Sequence, residues 1–336
     1  MLGSSAEALC DAYDLALLDL DGVVYVGGDA VPGAAERIAK ARTAGMRVAF
    51  ITNNAARAPE RVAAHLVELG VAAEPDDVVT SAQAACRLLL DRLGAGASVA
   101  VLGGPGLEAA VREVGLRATS VEDDGAAALV SGYGPDVLWR DVMRAAVRVR
   151  DGLWWVASNT DDTIPTAYGL APGHGMLVQS LTAFSGVRPE VAGKPARPLL
   201  DETVRRVGGR RPLMVGDRLD TDIEGAANAG VDSLLVLTGV TGLADLVAAA
   251  PPQRPTYLST TLQGLLEAHE APERSGAGWS AGGWRAEVAD GRLRVSGTGG
   301  VDDWWRAVAA AAWAHADRTG TTPETDGLTA PAGAGG

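Results

Sequence analysis

The sequence predicts an α/β protein: a doubly wound parallel-sheet, Rossmann-like core that carries an inserted α/β segment and ends in a small α+β extension. Three observations predict it. Residues 15–20 (LALLDL) are apolar except for one acid, the pattern of a strand covered on both faces. Strand-like and helix-like stretches then alternate as far as residue 237, as right-handed crossovers between parallel strands require. Beyond about residue 259 this alternation stops and Gly, Ser and Trp become prominent.

Each element follows from local pattern. Residues 34–44 read as a helix and Arg47 to Ile51 as the second strand. Pro59 suits the first turn of a helix that stops at Gly70. The inserted segment repeats the theme, with strands at 98–102, 126–130 and 154–157 and helices at 107–114 and 136–150. A Pro/Gly-rich stretch, 165–175, leads into a helix at 176–184. The core resumes with a helix at 198–207, a strand at 212–215, a helix at 221–229 and a strand at 233–237. The extension reads as a helix over about 260–268, a Gly/Ser-rich linker over 271–283, a hairpin around Ala289-Asp290-Gly291 and a Trp-bearing helix over 302–318. The expected domains are a core of 1–82 and 185–258, an insert of 83–184, an extension of 259–320 and a disordered Thr/Gly/Pro/Ala-rich tail of 321–336.

Composition narrows the functional classes. A formal net charge of −13 and a pI near 4.8 disfavour nucleic acid and anionic lipid as partners. The two cysteines, Cys10 and Cys86, form no metal-binding pattern and predict no disulfide framework. The first apolar stretch is broken by Asp19 and Asp21, so neither a signal peptide nor a membrane helix is expected, and the expected location is the cytoplasm. An anionic substrate would need local positive charge.

Four short segments carry candidate chemistry. Asp19-Leu20-Asp21-Gly22 closes the first strand, and a strand's period of two puts both acids on one side. Paired carboxylates there call for a cation or a retained proton, although two solvated acids at a strand end fit equally well. Thr52-Asn53-Asn54 follows the second strand, where a hydroxyl and backbone N–H groups suit phosphate oxygens and where a plain polar turn is also common. Lys194, between Gly193 and Pro195, is the only lysine besides Lys40 in an Arg-rich chain; it offers a compact cation on a fixed backbone, although an ordinary surface lysine fits as well. Gly216-Asp217-Arg218-Leu219-Asp220-Thr221-Asp222 offers hard oxygen ligands for Mg²⁺, while Asp220 or Thr221 could equally cap the following helix. A fifth match, Gly104-Pro105-Gly106-Leu107-Glu108-Ala109, fits a dinucleotide fingerprint, but Pro105 removes an N–H that such a loop would use.

The four segments in this order, each at or beside the end of a core strand, resemble the haloacid dehalogenase superfamily. The fit is to its nitrophenylphosphatase-like and nucleotide-monophosphatase-like subfamily, over about residues 12–245. Ser158-Asn159-Thr160-Asp161 resembles that subfamily's Asn-x-Asp segment, and Pro172-Gly173-His174-Gly175 its Pro-Gly-x-Gly loop.

The resemblance implies a Mg²⁺-dependent phosphatase. Asp19 attacks phosphorus and forms a phosphoaspartate, while Asp21 protonates the leaving alcohol and then activates water. Asp19, Asp217 and the Asp21 carbonyl hold the metal, with Asp222 one layer outside it. Thr52, the Asn53 backbone and Lys194 hold the phosphoryl oxygens. The insert is a cap, with Asn159, Asp161 and His174 expected on its substrate side, although His174 could equally be a loop histidine without a role. Some actinobacterial members of this subfamily carry a similar extension, described as acetyltransferase-like. No coenzyme A loop occurs here, so the extension is expected to pack or assemble. That extended type resembles glycerol 3-phosphate phosphatases, which makes glycerol 3-phosphate the expected substrate among small phosphorylated metabolites. Two alternatives are a non-catalytic phosphometabolite-binding protein, disfavoured by retention of every motif residue, and a phosphotransferase to another alcohol. A homodimer is possible by analogy with other caps of this type.

Overall fold

A computed structural model describes residues 1–166 and 169–331. It is an α/β fold of parallel sheets and helices. The chain forms two compact units, one of Met1–Val48 and the chain from Gly209 onward, the other of Ala49–Gly208. No helix among the described residues is long and apolar enough to cross a membrane.

In the first unit, Tyr257–Ser259, Asp232–Val236, Pro212–Gly216 and Leu15–Leu18 lie side by side in that order, all parallel. Every residue of Leu15–Leu18 is buried, as its unbroken apolar run requires. The expected helix over 221–229 begins instead as a wider π-turn at Leu219–Ile223 and becomes regular only at Glu224–Ala229. Neither Asp220 nor Thr221 caps it. Asp220 pairs with the Arg218 guanidinium, and the Asp222 carboxylate accepts the Arg218 N–H at 3.0 Å.

The extension belongs to this unit and departs most from expectation. Four antiparallel strands, Glu273–Ser275, Gly278–Ala281, Trp284–Ala289 and Arg292–Gly297, form one sheet. The first two occupy the stretch expected to be a linker. Trp279 and Ala281 alternate toward the core there, and burial of those side chains outweighs the low strand propensity of the glycines. Asp290 and Gly291 both have positive φ, the two-residue hairpin turn that Ala-Asp-Gly predicts. The stretch expected to be a helix over 260–268 is a short 3₁₀ turn, Leu262–Leu266, capped by Thr261.

The helix Val301–Thr319 has two covered faces. Trp304 packs with Ala281, Ala286 and Leu293 of the sheet, and Trp313 with Leu246 and Leu258 of the core. Of the adjacent pair, Trp304 is the deeper because the sheet supplies a second apolar surface, while Trp305 packs with Ala309 and Trp313. The described part of the tail, through residue 331, is not disordered as expected. Glu324 exchanges backbone hydrogen bonds with Gly291 and Leu293, and Leu328 and Ala330 cover the apolar cluster. Residues 332–336 of that expected tail lie outside the described residues.

In the second unit, Phe50, Ile51 and Thr52, the last residues of the strand Arg47–Thr52, pair in parallel with Val78–Thr80. A second parallel sheet runs Glu190–Val191, Trp154–Ala157, Ala128–Ser131, Ser98–Leu102 and Arg117–Thr119. Helices Trp139–Arg150 and His174–Ser185 cover it around Trp155, whose indole N–H donates to Ser131 Oγ at 2.8 Å. At the Pro/Gly-rich stretch, Thr163–Thr166 pairs antiparallel with Gly169–Pro172. In the fingerprint-like segment, a Cβ on Gly106 would lie 2.7 Å from the Ala56 carbonyl. Gly106 thus serves close backbone packing at the start of the helix Pro105–Glu113.

Candidate active site

The first unit carries the acids. The Asp19 N–H bonds to the Val215 carbonyl at 2.9 Å, the last rung of the strand pairing. The pleat expected to carry both Asp19 and Asp21 ends there. The Leu20 carbonyl accepts the N–H groups of Val23, Val24 and Tyr25, so a tight turn places Asp21. Gly22, with φ +81°, makes that turn possible. Asp19 is half-buried and Asp21 exposed.

Asp19, Asp217 and Asp222 each present a carboxylate oxygen, and these atoms lie within 4.8 Å of one another. Asp217 and Asp222 are buried. Three carboxylates this close repel one another strongly in a poorly hydrated place unless a cation joins them. Three hard oxygen donors suit a divalent ion such as Mg²⁺. Glycines allow the crowding: a Cβ on Gly22 or Gly239 would overlap the Asp217 carboxylate, and one on Gly216 would overlap Asp222. The Asp21 side chain is not a member of the group, whereas Asp222, expected one layer outside, is.

The second unit carries the neutral and cationic candidates. Thr52 ends a buried strand and Asn53 follows it, and Thr52 Oγ1 accepts the Asn54 N–H at 3.1 Å, so the polar-turn reading also holds. The Asn53 side chain is spent on the lysine loop. Its oxygen accepts the Lys194 N–H at 2.8 Å, and its amide nitrogen donates to the Lys194 carbonyl and to Asp161 Oδ1, each at 3.0 Å. The Asn53 carbonyl accepts from Ser81 Oγ at 2.6 Å and Asn159 Nδ2 at 2.7 Å. Lys194 is 2% exposed. Gly193 precedes it for a steric reason: a Cβ there would lie 2.6 Å from both Asn53 Oδ1 and the Ser158 carbonyl.

Asn53, Asn159, Asp161 and Lys194 are thus gathered in one network, with Thr52 next to Asn53 in the chain. His174 supports it from behind. Its Nδ1 lies 2.8 Å from the Asn159 carbonyl and its Nε2 3.2 Å from Ser131 Oγ. An Nδ1–H donor satisfies the carbonyl, leaving Nε2 to accept the Ser131 hydroxyl proton. Burial pushes the ring down to about 4, consistent with a neutral imidazole. With both nitrogens engaged and the ring buried, His174 holds the Asn159 loop instead of facing a substrate as expected. Asn159 is likewise buried, its amide bonded to Asn53 and its oxygen to the Asp161 N–H. Sequence reasoning missed Ser81 and Ser131, which no motif marked, whereas Gly193 was legible beside Lys194.

Residues 16–117 match the haloacid dehalogenase-like hydrolase family, and residues 191–265 a HAD-hydrolase-like family. The chain is 42% identical over 320 residues to the D-glycerol 3-phosphate phosphatase of Mycobacterium tuberculosis, spanning 91% of this chain and 88% of that one. The chain belongs to the haloacid dehalogenase-like hydrolases. It is a phosphatase of that family. A crystal structure of a glycerol phosphate phosphatase from M. tuberculosis in complex with magnesium superimposes with a TM-score of 0.83, at 42% identity over 92% of each chain. The 4-nitrophenylphosphatase of Thermotoga maritima follows at a TM-score of 0.71 and 29% identity, over 77% of this chain and 98% of its own.

Proposed function

We propose that this phosphatase hydrolyses small phosphomonoesters, glycerol 3-phosphate foremost, with Mg²⁺ as cofactor and a phosphoaspartate on Asp19 as intermediate. The cluster of Asp19, Asp217 and Asp222 carries this reading, since a carboxylate can approach an anionic phosphate only where a cation offsets the charge. The resemblance to the M. tuberculosis glycerol phosphate phosphatases supports both the metal and the substrate.

Asp19 and Asp217 would hold Mg²⁺ by their side-chain oxygens and Asp21 by its carbonyl, with the Asp222 carboxylate close enough to join or support them. The ion would supply charge neutralisation for the phosphoryl oxygens. Asp19 attacks phosphorus, the ester bond breaks, and Asp21 gives its proton to the leaving alkoxide. Asp21, now a carboxylate, takes a proton from water, which attacks the phosphoaspartate and releases inorganic phosphate and free Asp19. Exposure of Asp21 suits a group that must exchange protons in both half-reactions. Thr52, the Asn53 N–H and the Lys194 ammonium bind the transferring oxygens. Residues 83–184 act as a cap over the leaving group, with Asp161 on its substrate side.

Phosphate release from a panel of sugar, nucleoside and glycerol phosphates, with Mg²⁺ and with EDTA, tests this reading. Metal-dependent release that vanishes in Asp19→Asn, with glycerol 3-phosphate ranked first, is the expected result. Equal release by Asp19→Asn would rule out the intermediate, and a sugar phosphate ranked first would replace the substrate. Product partitioning in added glycerol separates hydrolysis from phosphotransfer.

A further inference from the structure

We infer that the segment Thr238-Gly239-Val240-Thr241, which follows the strand Asp232–Val236, is a positioning clamp for the metal-binding acid Asp217. The inference rests on the reading of Asp217 as a Mg²⁺ ligand. No motif drew attention to these four residues, yet each touches the acid or the turn that follows Asp19.

The Val240 N–H donates to Asp217 Oδ2 at 2.7 Å. Thr241 secures the same residue from its backbone side, its hydroxyl and its N–H both donating to the Asp217 carbonyl. The Thr238 hydroxyl donates to the Gly22 carbonyl, one residue beyond Asp21. Gly239 lies between these anchors, where a Cβ would overlap the Asp217 carboxylate and stand 2.8 Å from Gly22 Cα.

The arrangement has a physical consequence. A carboxylate at a strand end can rotate about χ1 and χ2, and like charges on Asp19 and Asp222 would turn it away whenever no cation is bound. A hydrogen bond to one oxygen, together with a fixed main chain, removes that freedom and leaves the carboxylate aimed before the metal arrives. Thr238 ties the Asp19–Gly22 turn to the same segment, so both loops that bear metal ligands are held by one support. Thr238 and Thr241 are positioning residues, since they act through Asp217 and Gly22.

The test is Mg²⁺ binding measured by calorimetry on the full chain without substrate, alongside steady-state kinetics. Wild type is compared with Thr241→Val, Thr241→Ser, Thr238→Val and Asp217→Asn, and melting in EDTA confirms that each is folded. Thr241→Val and Thr238→Val are expected to bind Mg²⁺ about 10-fold more weakly. They should recover most of their kcat at saturating metal with little change in KM, and Thr241→Ser should return to within about 2-fold of wild type, because the hydroxyl is restored. Wild-type Mg²⁺ affinity in both valine variants, with binding lost in Asp217→Asn, would overturn the clamp and leave the metal site standing. Undiminished binding in Asp217→Asn would remove Asp217 as a ligand and the clamp with it. Thr238→Val keeps the inference testable should Thr241→Val not fold.

Discussion

The two groups of functional residues are held by opposite means. In the first unit, three carboxylates crowd together where glycines remove steric resistance and hydroxyl and N–H donors steady Asp217. In the second, one cation, Lys194, sits in a frame of neutral amides and hydroxyls centred on Asn53. The acid group is electrostatically frustrated by itself, whereas the lysine loop is bonded through its own backbone. The difference teaches where each can fail: loss of charge should damage the acids, and loss of hydrogen bonds the lysine frame.

The largest expected effect comes from the charges. Asp19→Asn and Asp217→Asn should each lower kcat by about 10³-fold or more, while melting in EDTA holds or rises as repulsion is relieved. A lower melting temperature in EDTA for both variants would break the comparison, since it would make the acids stabilising. Next is Asn53→Ala, which strips the Lys194 N–H and carbonyl and the Asp161 carboxylate of a partner at once. A loss of roughly 2–4 kcal/mol in denaturant unfolding is expected, with kcat lowered by about 10²-fold. Unchanged stability would show that water replaces the amide at no cost.

His174 offers a smaller, pH-dependent contrast. Its folded pKa, near 4, lies below the ordinary value of 6.5 because burial penalises the charged ring. Between those values the unfolded chain binds more protons, so stability falls as pH drops from about 6.5 toward 4 and levels off below. The full swing is up to roughly 3 kcal/mol. His174→Gln should flatten that slope, read from unfolding midpoints at several pH values. His269, also lowered mainly by burial, adds a slope of the same sign that His174→Gln leaves in place. The smallest effect is expected from Trp305→Ala, since Trp305 is only partly buried, whereas Trp304→Ala empties a site closed on all sides. Thermal melts of the pair should rank Trp304→Ala well below Trp305→Ala.

The sequence by itself determined the longer parallel strands and the elements that bear Asp19, Thr52 and Asp217, because buried strands need unbroken apolar runs and the acids stand where those runs stop, whereas the short strands Val78–Thr80, Arg117–Thr119, Glu190–Val191 and Tyr257–Ser259 were not legible in it. Lys194 was legible as a rare residue type between two backbone-restricting neighbours. Tertiary structure decided what local pattern could not hold. Asp222 joined the acid group through a π-turn that no propensity foretells, and His174 turned inward because Ser131 and Asn159, distant in sequence, answer both its nitrogens. The sheet hidden in residues 273–297 forms because Trp279, Ala286 and Leu293 find the helix Val301–Thr319 to cover them. Burial against a partner residues away, and not the local preference of glycine and serine, settles such a segment.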